Sequence, residues 1–156
     1  MKNLLKMTAI AALTFTSISA FAASQQAEEV KKFQAWEEIA SKKLEARFDA
    51  ISVASANSNA TETEAAVAAF DKQAAENVAE LEALGIKSEE VSPLVSMYKE
   101  YVDAEKEVAK LILSQVKSPS LDNAGKVPEA VAKANQKDDA IDKLADQLEE
   151  KFPAEE

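Results

Sequence analysis

Apolar residues recur at steps of three and four along nearly the whole chain, and no alternating β-branched run interrupts them. That spacing places them on single faces of helices rather than on strands. Four such stripes are legible. Over about 24–54 the stripe is Val30, Phe33, Trp36, Ala40, Leu44, Phe48 and Ile51. Over about 62–84 it is Val67, Phe70, Ala74, Val78, Leu81 and Leu84, opened by Thr61 with Glu64 three residues on, a capping box. Gly85 then supplies a left-handed C-cap. Over about 93–117 it is Leu94, Tyr98, Tyr101, Glu105, Val108, Ile112 and Gln115, widened by Ala104 and Leu111. Ser92 is the expected N-cap there, with Pro93 at the first helical position, where a missing N–H costs nothing. Over about 127–152 it is Val131, Ala134, Asp138, Ile141, Leu144, Leu148 and Phe152, started near Val127-Pro128 and ended by Pro153. Ser55 to Ala60 and Ser118 to Gly125 are small, polar and aperiodic, so both are expected to be loops.

Four amphipathic helices of similar length on short loops predict an all-α fold, an antiparallel up-down-up-down four-helix bundle. The narrow stripes, close to a 3.5-residue step, suit left-handed bundle crossing. Alanine-rich seam positions predict thin layers, and Phe33, Trp36, Phe48, Phe70, Tyr98 and Tyr101 wider ones.

The first 22 residues follow another rule. Lys2 and Lys6 precede an apolar run from Ile10 to Ile18, and Ala20-Phe21-Ala22 is a small-x-small site. This reads as a signal peptide over 1–22, cleaved after Ala22, with a single domain over 23–156. The apolar run is too short for a spanning anchor, so no membrane insertion is expected after cleavage. No cysteine follows the site, which argues against a lipoprotein. The expected compartment is the periplasm.

Charge and composition then remove whole classes of function. Without Lys2 and Lys6 the chain carries 16 Lys+Arg against 28 Asp+Glu, a net charge of −12. Such a surface repels nucleic acid and anionic lipid. Arg47 is the only arginine, which argues against phosphate recognition. There is no cysteine, so no disulfide, and the fold must rest on its apolar core. There is no histidine, which removes the commonest general base, transition-metal ligand and haem ligand together. A serine–histidine–acid triad is excluded, and so is a carboxylate-bridged di-metal bundle in its usual Glu-x-x-His form. The expectation is a protein that is no enzyme and carries no cofactor and no metal.

Two constellations remain. Glu105 and Asp138 fall on apolar faces near the centres of helices three and four. In antiparallel neighbours they lie at one level, with Asn77 and Lys43 at comparable heights. A buried carboxylate pair can hold a hard cation or share a proton. The same two residues also fit a seam edge, extended to water or paired with lysine. Trp36, Tyr98 and Tyr101 form the second group, which suits an aromatic pocket for an apolar ligand, a patch for a partner, or plain core packing with hydroxyls reaching solvent.

Ser92-Pro93 opening helix three, and Gly125-Lys126-Val127 with Glu129-Ala130 opening helix four, resemble the corresponding turns of the soluble periplasmic b-type cytochromes. That family binds haem through a methionine near the start of helix one and a histidine near the end of helix four. Helix one of the mature chain has no methionine and helix four no histidine. The resemblance therefore implies the fold without the haem, and a relative binding another small ligand or a cation between helices. Size, export and lack of catalytic groups are also similar to helical periplasmic chaperones. The leading expectation is an exported, non-enzymatic binding or interaction protein, chaperone- or adaptor-like. Its partner is an unknown protein or small apolar ligand, and it is a monomer or homodimer.

Overall fold

A computed structural model describes the backbone of residues 2–153 and the side chains of residues 23–153. The leader read at 1–22 lies outside the described side chains. Four helices account for the fold: α1 (Lys2–Ala56), α2 (Ala60–Ala83), α3 (Ser92–Lys117) and α4 (Leu121–Lys151). No strand occurs among the described residues. The all-α, four-helix expectation holds.

Cross-helix partners give the directions. Lys43 pairs with Glu80, and Phe48 packs edge-on against Phe70. Lys99 meets Glu82 at 2.6 Å and Lys117 meets Glu64 at 2.8 Å. Lys137 meets Glu100 and Lys133 meets Glu107. Numbers rise on one helix as they fall on the next, so consecutive helices run antiparallel. These ion pairs lie at the surface, where solvent and salt screen them, so they add little to stability. The apolar core does the stabilising.

That core follows the stripes closely. Val30, Phe33, Ala40, Leu44, Ile51, Val67, Phe70, Ala74, Leu81, Leu94, Tyr98, Val108, Ala134, Ile141 and Leu148 are all buried. Phe48, Tyr101 and Leu144 are half-buried against them. Val102, Ala109, Ala130 and Ala145, outside the expected stripes, are buried as well. Val131, inside one, is exposed. At the centre, Trp36 stands edge-on to Tyr98 at 4.7 Å, with Phe33 and Tyr101 each 5.8 Å further along the chain of rings.

Three helix starts differ from expectation. Asn59, not Thr61, caps α2; its side chain accepts from Glu62 N–H at 3.1 Å. An asparagine carbonyl two residues earlier intercepts the orphan donor before a threonine can. Val91 occupies the cap position of α3 and makes no side-chain cap bond. Ser92 is instead the first helical residue, donating to the Glu89 carbonyl. The largest correction is α4, which begins at Leu121 rather than near Val127. Ser120 caps it, accepting from Asn123 N–H at 3.1 Å, and Asp122 and Lys126 pair one turn apart. Gly125 and Pro128 both lie inside this helix. A proline there removes one helical hydrogen bond, which the rest of the turn outlasts. At the other loop, Gly85 does adopt the left-handed conformation, φ 67°, just past α2.

One buried polar contact ties α1, α2 and α3 together. Asn77 is 0% exposed. Its amide nitrogen donates to the Ala40 carbonyl at 3.0 Å and to the Tyr98 hydroxyl at 3.2 Å, and its oxygen accepts from Gln73. Burial, eased by this bond and reinforced by the Glu37, Asp138 and Glu80 charges, pushes the Tyr98 hydroxyl up to about 12. Asn77→Ala should lower stability by about 2 kcal/mol, through lost bonds and a small cavity, and Tyr98→Phe by about 1 kcal/mol. Because both remove one shared bond, a double-mutant cycle read by urea unfolding should show coupling of about 0.5 kcal/mol or more.

Candidate functional site

The α1–α4 seam is thinner than any seam between helices consecutive in the chain. α1 packs extensively on α2, and α3 on α4, whereas α1 and α4 touch over a short stretch. Gln34 and Glu149 bridge that seam at 3.0 Å on the surface. Beside them the helices part over a cleft of about 550 Å³. Glu37, Ser41, Leu44, Glu45 and Phe48 of α1 form one wall. Tyr101 and Glu105 of α3 form its back, and Val131, Asn135, Asp138 and Asp142 of α4 the other wall.

The local sequence explains the opening. Along α4 the buried positions Ala130, Ala134 and Ile141 surround Asn135 and Asp138, so short polar side chains stand where bulk would close the seam. On α1, Ser41 turns its hydroxyl inward along its own helix, donating to Glu37 at 2.6 Å. The result combines apolar walls, one phenol ring and five carboxylates.

Electrostatics single out two of those five. Burial pushes the Glu105 carboxyl above its ordinary value, and the Asp138 charge adds to the shift. Asp138 is raised as well, first by burial, then by Asp142, Glu37 and Asp139. Burial also drives the Tyr101 phenol far upward, with Glu105 and Asp138 next in effect, so it stays a neutral donor. Among the described residues, no ion pair within 4.0 Å involves Glu37, Glu45, Glu105, Asp138 or Asp142. Half-buried carboxylates with no cationic partner destabilise the bundle that holds them.

The structure thus brings Glu105 and Asp138 to one site and adds Tyr101. It takes the other expected members elsewhere. Asn77 belongs to the buried contact with Ala40 and Tyr98, and Lys43 pairs with Glu80. Trp36 and Tyr98 are core residues stacked behind Tyr101, not cleft lining. Sequence reasoning missed Glu37, Glu45 and Asp142. They sit on wet helix faces in the pattern, and only the parting of α1 from α4 makes those faces line a cleft, at whose rim Glu45 and Asp142 stay exposed. Among the described residues no three of Asp, Glu, His or Cys converge closely enough to hold a metal ion. The carboxylates line the cleft rather than meet at a point.

These features define a small all-α bundle with an acidic, apolar-walled cleft on its open seam. The chain belongs to the family described as "Uncharacterised lipoprotein PM1805", whose model matches residues 27–153. No curated protein and no solved structure matches it. The likeness to b-type cytochromes is therefore overturned: the matching family is a different one. Its supposed helix-four turn, Gly125 to Ala130, lies inside α4, and a serine–proline helix start is common to many folds. The family description agrees with the expected export, and its word lipoprotein runs against the expectation drawn from the missing cysteine. The 156 residues hold no cysteine thiol to carry a thioether- or thioester-linked lipid. No helix among the described residues is long and apolar enough to cross a membrane.

The raised carboxyls of Glu105 and Asp138 make stability depend on pH. A folded-state value above the unfolded one means that the charged form weakens the fold. The penalty is fully present above the folded value and is relieved as pH falls through it. Glu105→Gln should accordingly raise Tm by a few degrees at pH 7, with the gain over wild type vanishing in acid. Thermal unfolding followed by circular dichroism across that range reads both.

Proposed function

We propose that this protein is an exported, periplasmic, non-enzymatic binding protein, and that the α1–α3–α4 cleft takes a small organic cation with an apolar body. One observation carries this reading: Glu105 and Asp138 sit unpaired and half-buried against Tyr101 inside a cleft of ligand size. An ammonium group supplies the missing charge. An alkyl body satisfies Leu44, Phe48 and Val131, and the Tyr101 ring presents a face suited to a cation. Glu37 and Glu45 are eight residues apart on α1, about 12 Å along its axis at 1.5 Å per residue. The acidic lining is therefore extended, which favours an elongated ligand charged at both ends.

Binding rather than catalysis fits the groups present. The one hydroxyl–carboxylate contact in the lining, Ser41 to Glu37, spans one helical turn, and a carboxylate is too weak a base to ionise a serine. The spread of the carboxylates favours an organic cation over a bare metal ion, which needs convergent oxygens.

An eight-carbon α,ω-diamine tests the reading against the matching diol, which has the same length and no charge. At a hundred times Kd, the diamine should stabilise the fold by about 2.7 kcal/mol, and the diol should not. Glu105→Gln with Asp138→Asn should abolish the effect while keeping the helical spectrum. Equal responses to diamine and diol, or an unchanged response in the double variant, would remove the cleft as a cation site.

A further inference from the structure

A carboxylate more deeply buried than Glu105 or Asp138 lies where α1 meets the α2–α3 loop, and its charge is fully used. Glu29 of α1 is 5% exposed. Its two oxygens accept from Lys87 N–H at 3.1 Å, from Ser88 N–H at 3.0 Å and from the Ser88 hydroxyl. Gln25, one turn back, donates to it at 3.1 Å. The segment it holds is the irregular stretch between α2 and α3, where Gly85 has turned the chain and no helix satisfies the backbone donors. Gln26, also buried, supports the Glu90 carboxylate of the same loop.

We propose that Glu29 is an acid-released latch: its carboxylate ties α1 to the α2–α3 loop, and protonation frees that loop while the bundle stays folded. The donors explain the direction. Two backbone N–H groups and a hydroxyl converge on one ionised group, and a neutral carboxyl gives up one acceptor site to its own O–H. Burial alone raises the Glu29 carboxyl, but the bonds from Ser88, Gln25 and Lys87 outweigh it and hold the group below its ordinary range. A depressed value means that the stabilisation is present at neutral pH and lost as pH falls through the folded value.

The charges around the latch do not replace it. On α1, Glu28 pairs with Lys32 on the wet face. On the loop stand Lys87, Glu89 and Glu90, and Lys151 at the end of α4 acts on Glu90. Beneath the latch, Val30, Phe33, Val91 and Leu94 are buried by apolar packing that does not titrate. Local opening without global unfolding is the expected consequence.

The test is amide hydrogen exchange with a carboxyl-carbon NMR titration on the full chain. Protection of Lys87 and Ser88, corrected for intrinsic rates, should fall at least tenfold across the Glu29 midpoint. Amides of Phe70 and Tyr98 should stay protected there. Glu29→Gln should lose that protection already at pH 7. If that variant fails to fold, Ser88→Ala serves instead and should move the Glu29 midpoint upward. Loss of protection at Lys87 and Ser88 only together with the core amides would overturn the latch. So would a Glu29 midpoint unmoved by Ser88→Ala.

Discussion

The bundle depends on three helices closing around a string of rings. Phe33, Trp36, Tyr98 and Tyr101 run through the interior of α1 and α3, and Phe48 meets Phe70 from α2. With no disulfide, this apolar packing has to outweigh the chain entropy lost on folding. Asn77 makes the packing specific. Its amide must find both the Ala40 carbonyl and the Tyr98 hydroxyl, and only one register of α2 against α1 and α3 allows that.

The same closure leaves one seam over. Once α1–α2, α2–α3 and α3–α4 are packed, the α1–α4 edge is filled by whatever side chains remain. Here those are Ser41, Asn135 and Asp138, too short and too polar to fill it. Tyr101 is thus both the last ring of the core and the first surface of the cleft. Its position joins the stable part of the molecule to the part read as functional. The strain stored there is electrostatic: Glu105 and Asp138 are held half out of water with no counter-charge, a cost the aromatic core is able to bear.

Most of the fold was legible in the period of apolar residues, because burial and period report the same physical fact. Every apolar residue expected on the face of α1 between Val30 and Ile51 packs inward. The start of α4 was not legible. Gly125 and Pro128 are local breakers, and a Ser120 cap with tertiary packing of Ala130 and Ala134 overrides them. The cleft was half legible. Glu105 and Asp138 stood out as charges on apolar stripes, whereas Glu37, Glu45 and Asp142 lie on faces that become a wall only when two helices part. Glu29 gave no signal, since its partners are backbone N–H groups 58 and 59 residues away. The cytochrome likeness failed because a few helix-opening turns carry little information about which bundle they open.

The central claim is that Glu105 and Asp138 are unpaired carboxylates kept short of water by the cleft. Side-chain carboxyl carbon NMR, titrating the two residues in the protein without added cations, tests it most directly. Both midpoints should lie above those of ordinary glutamate and aspartate, and both should shift downward when the diamine is present. Midpoints at or below the ordinary values would show the two carboxylates solvated or paired, and would contradict it.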